Sequence, residues 1–199
     1  MAYHDDLLRQ ALQLVHVDPP SQLTLRRAVS AAYYAVFHFL IAEATSNWSN
    51  VSLRTALGRA YDHGVMKTAS NRIISPKDFP FTGEDPAVVA NLRFVAQAFS
   101  QLQEDRHFAD YNLTKDLDRA EALTQVKSAE TIFTVWPTIQ AEQAAQAYLV
   151  SLLVKRVCVN ARILIPLSGR PYCSRAYSAF ASCSIGSPAS ASFHTPKKS

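Results

Sequence analysis

The segment from Leu25 to Leu40 constrains this chain more than any other. At about 100° per residue, Leu25, Val29, Ala32, Val36 and Leu40 fall on one stripe of a helix. Arg27, Ser30, Tyr34 and His38 fall on a second stripe. An amphipathic helix facing water usually carries Lys and Glu on its second face. This one carries a guanidinium, a hydroxyl, a phenol and an imidazole, a set suited to a groove. The segment therefore predicts a helix packed on one side against a core, with its polar side in a protected cleft.

The remaining pattern is also helical. Leu7, Leu8, Ala11, Leu12 and Val15 predict a first helix over about 2–16, stopped by Asp18-Pro19-Pro20. Ser21 is placed to cap the second helix, which runs to about Ala44. A weaker helix is expected from Leu53 to Lys67, after a polar loop in which Trp48 packs back onto the helices. An extended loop follows from Ser75 to Pro86. Asp85-Pro86 puts a cap and a first-turn proline ahead of a long helix ending near Tyr111. A fifth helix opening at Asn112 or Thr114 should kink or break at Trp136-Pro137, with helical pattern resuming to about Arg156. Short links between long helices predict an all-α, antiparallel four- to five-helix bundle over residues 1–157.

Composition agrees, with 48% hydrophobic and 18% charged residues and 5 glycines. No uninterrupted apolar run reaches the ~18 residues of a membrane span, since Ala31–Ala42 contains His38. The N-terminus lacks a basic stretch ahead of an apolar one, so a cytoplasmic protein with no membrane partner is expected. The net charge of +4 is unevenly distributed. Residues 1–142 carry 13 Lys and Arg against 16 Asp and Glu, whereas residues 143–199 carry 7 basic residues and no acid. The helical part thus lacks a broad basic face for a nucleic-acid backbone, and any phosphate contact there must be local. Residues 158–199, rich in Ser, Ala, Pro and Arg, are expected to be a disordered tail. The next reading of its composition is a shifted reading frame or a junction with foreign sequence, and the third is a basic nucleic-acid-binding arm. Cys158, Cys173 and Cys183 have no metal-ligand spacing, so neither a metal nor any other cofactor is expected.

Two segments resemble the HEPN superfamily, especially its small stand-alone prokaryotic members. Ser30-Ala31-Ala32-Tyr33-Tyr34-Ala35-Val36-Phe37-His38 is similar to the Ser-x-x-Tyr-Tyr-Ala-x-Phe-His signature of such proteins. Arg106-His107-Phe108-Ala109-Asp110-Tyr111 is similar to their Arg-x-x-Ala-Asp-Tyr segment. With the helix order, the likeness spans about residues 3–150. It implies a homodimer of toxin–antitoxin or defence type whose shared cleft binds or cuts RNA without metal, the 2′-hydroxyl attacking the adjacent phosphate. The alternative it implies is a non-catalytic partner or nucleotide-binding module, such as accompanies a minimal nucleotidyltransferase. An antitoxin or a nucleotidyltransferase is then the expected protein partner.

On this reading Arg106, Tyr111, His38 and His107 are the catalytic candidates, and Arg27, Ser30, Tyr34, Asp110 and Asn112 the binding candidates. Arginine presents a permanently charged planar fork to phosphate oxygens, and histidine moves protons near neutrality. Ribonuclease members of the superfamily carry His four to six residues after the Arg. This chain has Tyr111 at the fifth position, and a phenol is a poor base at pH 7. Each candidate also has a structural role open to it: an Arg106–Asp110 ion pair one turn apart, a satisfied core His38, and packing for Tyr33 and Tyr34.

Overall fold

A computed structural model describes residues 2–154 apart from Pro76, Asp78 and Pro80, and all of these belong to one compact unit. The expected tail at 158–199 lies outside the described residues. Seven helices and no strand occur among the described residues: α1 (Tyr3–Val15), α2 (Gln22–Ser46), α3 (Val51–Gly58), α4 (His63–Ile74), α5 (Pro86–Tyr111), α6 (Arg119–Ile139) and α7 (Gln143–Ser151).

The caps explain where most of these begin. Ser21 accepts from the Thr24 amide, and the Thr24 hydroxyl answers by accepting from the Ser21 amide. Asp85 accepts from the Ala87 amide beside Pro86, whose missing N–H costs nothing in the first turn. Asp118 and Glu121 form a reciprocal cap, so α6 starts seven residues after Asn112 rather than at Asn112 or Thr114. Asn112 instead accepts from the Thr114 amide and hydroxyl, tightening the turn that leaves α5. The single weak helix expected over 53–67 is two helices, because Asp62 caps a fresh start by accepting from Gly64 and Val65. Pro137 neither stops nor ends α6, which continues to Ile139 with the proline on its exposed side. The break falls at Gln140–Glu142. Trp48 is exposed, contrary to the packing expected of it.

α2 is the centre of the core and packs against α1, α5, α6, α3 and α7. Val29, Ala32, Val36 and Leu40 are buried as the stripe requires, together with Tyr33, Phe37 and Phe39. Burial therefore extends well beyond one stripe. It also accounts for the length and hydropathy of α2, which meet the requirements of a membrane span although no uninterrupted apolar run does: 67% of the most apolar stretch is buried inside the protein, as in a core helix. Two polar contacts deep in the packing are satisfied. Trp136 donates to Glu43 at 2.9 Å, and the Ser70 and Tyr148 hydroxyls share a hydrogen bond at 2.8 Å.

The most consequential polar residue is Arg26, only 9% exposed. Its Nη1 donates to the carbonyls of Ala109 (2.9 Å) and Asn112 (2.7 Å), and its Nη2 to that of Lys115 (2.6 Å). The final carbonyls of a helix lack intrahelical donors, and here a side chain of α2 supplies them. One turn earlier, Gln22 grips the Leu117 backbone from both sides, donating to its carbonyl and accepting from its amide, each at 2.9 Å. Replacing Arg26 by Leu leaves three carbonyls without their donor, and we expect a loss of about 3–5 kcal/mol in urea unfolding. Arg27→Ala, at an exposed residue, should change stability by less than about 0.5 kcal/mol.

Candidate functional site

Ser30 and Tyr34 continue the row begun by Gln22 and Arg26, one residue per turn of α2, and face the last turns of α5. The Ser30 hydroxyl donates to Asp110 Oδ1 at 2.6 Å, and the Tyr34 hydroxyl accepts from Arg106 Nη2 at 2.8 Å. Arg106 Nε lies 2.7 Å from Asp110 Oδ2, close enough for an ion pair although the N–H is not aligned on the oxygen. Ser30, Asp110, Arg106 and Tyr34 thus form one connected polar chain between the two helices. The guanidinium also sits 5.3 Å from the centre of the Tyr34 ring and 5.8 Å from that of Tyr111. Burial works against the Arg106 charge, but Tyr34, Asp110 and Tyr111 more than offset it, and its pKa is raised.

Of the expected site residues, the structure brings Ser30, Tyr34, Arg106, Asp110 and Tyr111 together. Tyr111 is 65% exposed and holds its place through ring contacts with Arg106 and His107. His107 is exposed on the outer side of α5, its ring 4.8 Å from that of Tyr111. With Arg106, Lys67, Gln103 and Glu104 it lines an open pocket of about 260 Å³. Gln103 Oε1 is buried there without a hydrogen-bond partner among the described residues.

Three candidates stand elsewhere. Arg27 is exposed and makes no hydrogen bond or ion pair among the described residues; the polar row follows the fourfold spacing 22, 26, 30, 34, which selects Arg26 in its place. Asn112 is committed to the turn after α5. His38 is half-buried one turn beyond Tyr34, wedged against the rings of Tyr3, Phe37 and Tyr34. Burial, then the neighbouring His63 and His4, lowers its pKa.

His63 is the site residue that sequence reasoning missed. It opens α4 and stacks on Phe37 with ring centres 4.0 Å apart. Its Nδ1 shares a 2.6 Å hydrogen bond with the hydroxyl of Tyr33, a residue with no exposed surface. Burial pushes the Tyr33 hydroxyl far above the usual phenol range, so it keeps its proton. When neutral His63 carries its proton on Nε2, the Tyr33 hydroxyl donates to Nδ1. Burial and the Arg106 charge lower the His63 pKa, opposed by Asp62. No sequence signal marked it, since it lies within what read as a single weak helix.

Comparisons with family models, curated proteins and solved structures return no match to this chain. No group of three or more His, Cys, Asp or Glu among the described residues is arranged to hold a metal ion.

The two lowered histidines couple stability to pH. In the unfolded chain each returns toward its ordinary value of 6.5 and takes up a proton that the folded protein refuses. Their contribution is complete above pH 6.5 and is lost as the pH falls from there toward the folded values. The urea midpoint of the wild type should drop on acidification through this window. A His38→Gln/His63→Gln variant should show a flatter profile; an equally steep one would exclude these histidines as the cause.

Proposed function

We propose that this chain is a HEPN-like helical protein that binds a phosphate of RNA or of a nucleotide at Arg106, in a cleft closed by a second copy. The observation that carries this reading is the Arg106 guanidinium held between two tyrosine rings by Tyr34 and Asp110, at the mouth of a pocket that Lys67 and His107 also line. Its charge is maintained and its orientation set by neighbours on two helices, while about a quarter of the side chain remains accessible. That is the preorganisation a phosphate ligand requires. The acidic balance of residues 1–142 fits a local contact of this kind rather than a basic face. The proposal includes the antiparallel bundle of that superfamily and a toxin–antitoxin or defence setting, with an antitoxin or a minimal nucleotidyltransferase as partner.

Non-catalytic binding is the favoured form, because Tyr111 occupies the place of the superfamily's proton-transferring histidine. Metal-independent cleavage is the second reading, favoured by His107, whose ring packs on Tyr111 and lines the same pocket as Arg106.

Arg106→Ala tests the first reading. Asp110 would keep its Ser30 hydrogen bond and the pair is part-exposed, so the expected loss of stability is about 1 kcal/mol or less. Binding of single-stranded RNA or nucleotide, measured by fluorescence anisotropy, should be abolished. A loss of about 3 kcal/mol or more with binding retained would mark the pair as structural. Tyr111→His should raise metal-independent ribonuclease activity if the cleft is otherwise competent. Light scattering should give a dimer at tens of micromolar, and a monomer would count against the shared cleft.

A further inference from the structure

Arg106 has an unassigned neighbour across α4. His63 and Lys67 lie one turn apart on the same face of α4, and that face fronts the end of α5, where Lys67 pairs with Glu104 at 3.0 Å. The His63 ring contacts the ring of Tyr34 edge-on, with centres 6.2 Å apart, and the Tyr34 hydroxyl is the group that Arg106 holds. One phenol therefore separates the imidazole from the guanidinium.

The surroundings of His63 fix both its position and its chemistry. Phe37 covers one face of the ring, and Tyr33 occupies Nδ1. Nε2 has no hydrogen-bond partner among the described residues and is the nitrogen left to meet a ligand. The titratable and charged groups around the ring are Tyr33, Tyr34 and His38 from α2, Arg106 from α5, and Asp62 and Lys67 from its own segment. Asp62 spends Oδ1 on the amides that begin α4 and forms no ion pair with the imidazole. Among the described residues no carboxylate forms an ion pair with His63, and Asp62 acts on it only through its charge. An added proton there lacks its natural counter-charge until an anion arrives.

We propose that His63 is the second anion ligand of this site, binding in its protonated form so that a phosphodiester is held between its imidazolium and the Arg106 guanidinium. The inference rests on the phosphate-binding reading of Arg106 and adds a proton to it. Tyr33 permits the change because a hydroxyl both gives and accepts. It donates to Nδ1 of the Nε2-protonated neutral ring, and accepts from the Nδ1–H of the charged one once its own proton rotates off that line, the oxygen staying in place. Binding then draws one proton from solution onto His63, so affinity rises as the pH falls. The occupant is a backbone phosphodiester with a single negative charge. Free phosphate would supply the same oxygens, but it titrates on its own near neutrality.

A short 2′-O-methyl oligouridylate tests this on the intact chain, since it cannot be cleaved and its charge is constant between about pH 5.5 and 8. The wild type should bind it about tenfold more tightly at the acid end. The ring resonances of His63 should titrate at a higher pH when the oligonucleotide is present. His63→Gln, whose amide oxygen can still accept from Tyr33, should remove the pH dependence and leave the weaker affinity of pH 8 throughout. Wild-type binding that is independent of pH, or a His63 titration unmoved by the oligonucleotide, overturns the proposal while leaving Arg106 as a phosphate ligand. Binding that survives Arg106→Ala overturns the Arg106 reading and with it the pairing. No binding by the wild type at any pH overturns both.

Discussion

The end of α5 is the point on which the rest depends. Its last turn and the turn that leaves it present the carbonyls of Ala109, Asn112 and Lys115 to α2, and the buried guanidinium of Arg26 donates to all three. A buried guanidinium is itself costly unless its donors are used, so each half of the arrangement needs the other. Gln22 extends the grip to Leu117, fixing the backbone from Ala109 to the start of α6. With that backbone held, Asp110 and Arg106 meet Ser30 and Tyr34 without any adjustment of their own. The row along α2 that closes the fold is the row that furnishes the site.

The adjacent tyrosines of α2 divide the work. Tyr33 is turned inward and reaches His63; Tyr34, about 100° around the helix, is half-buried and accepts from Arg106. Two phenols thus tether the first residue of α4 and a residue in the last turns of α5 to one point on α2. Asp110 balances the guanidinium but is itself shared with Ser30. The local charge is therefore moderated rather than cancelled. The site sets a cation whose charge its neighbours favour beside a histidine whose charge burial disfavours.

Much of the fold was legible because its determinants are local. Asp85-Pro86 fixed the start of the long helix, and Ser21 that of α2, since a cap acts within three residues. The apolar stripe of α2 gave the core. The α3–α4 break was hidden because Asp62 is an unremarkable cap in a weakly periodic segment. In the site, Ser30, Tyr34, Arg106 and Asp110 were found from the α2 pattern and the second motif. Arg27 was chosen over Arg26 because a stripe drawn at 100° admits either neighbour. Only contact with α5, more than 80 residues away in sequence, reveals that the row keeps to fourfold spacing. His63 depends entirely on such distant partners, so no local signal could have found it.

The exposure of Tyr111 has an evolutionary consequence. Its side chain stands mostly in water and is held by two ring contacts, whereas Ser30, Tyr34, Arg106 and Asp110 are bound into one another across two helices. A substitution among the four breaks at least one contact between the helices. A substitution at position 111 breaks only ring contacts. A lineage with this architecture can gain or lose a proton-transferring side chain there in one step with little change in how well the protein folds. Chains that share nearly every buried residue can then differ in the chemistry offered at this one exposed position.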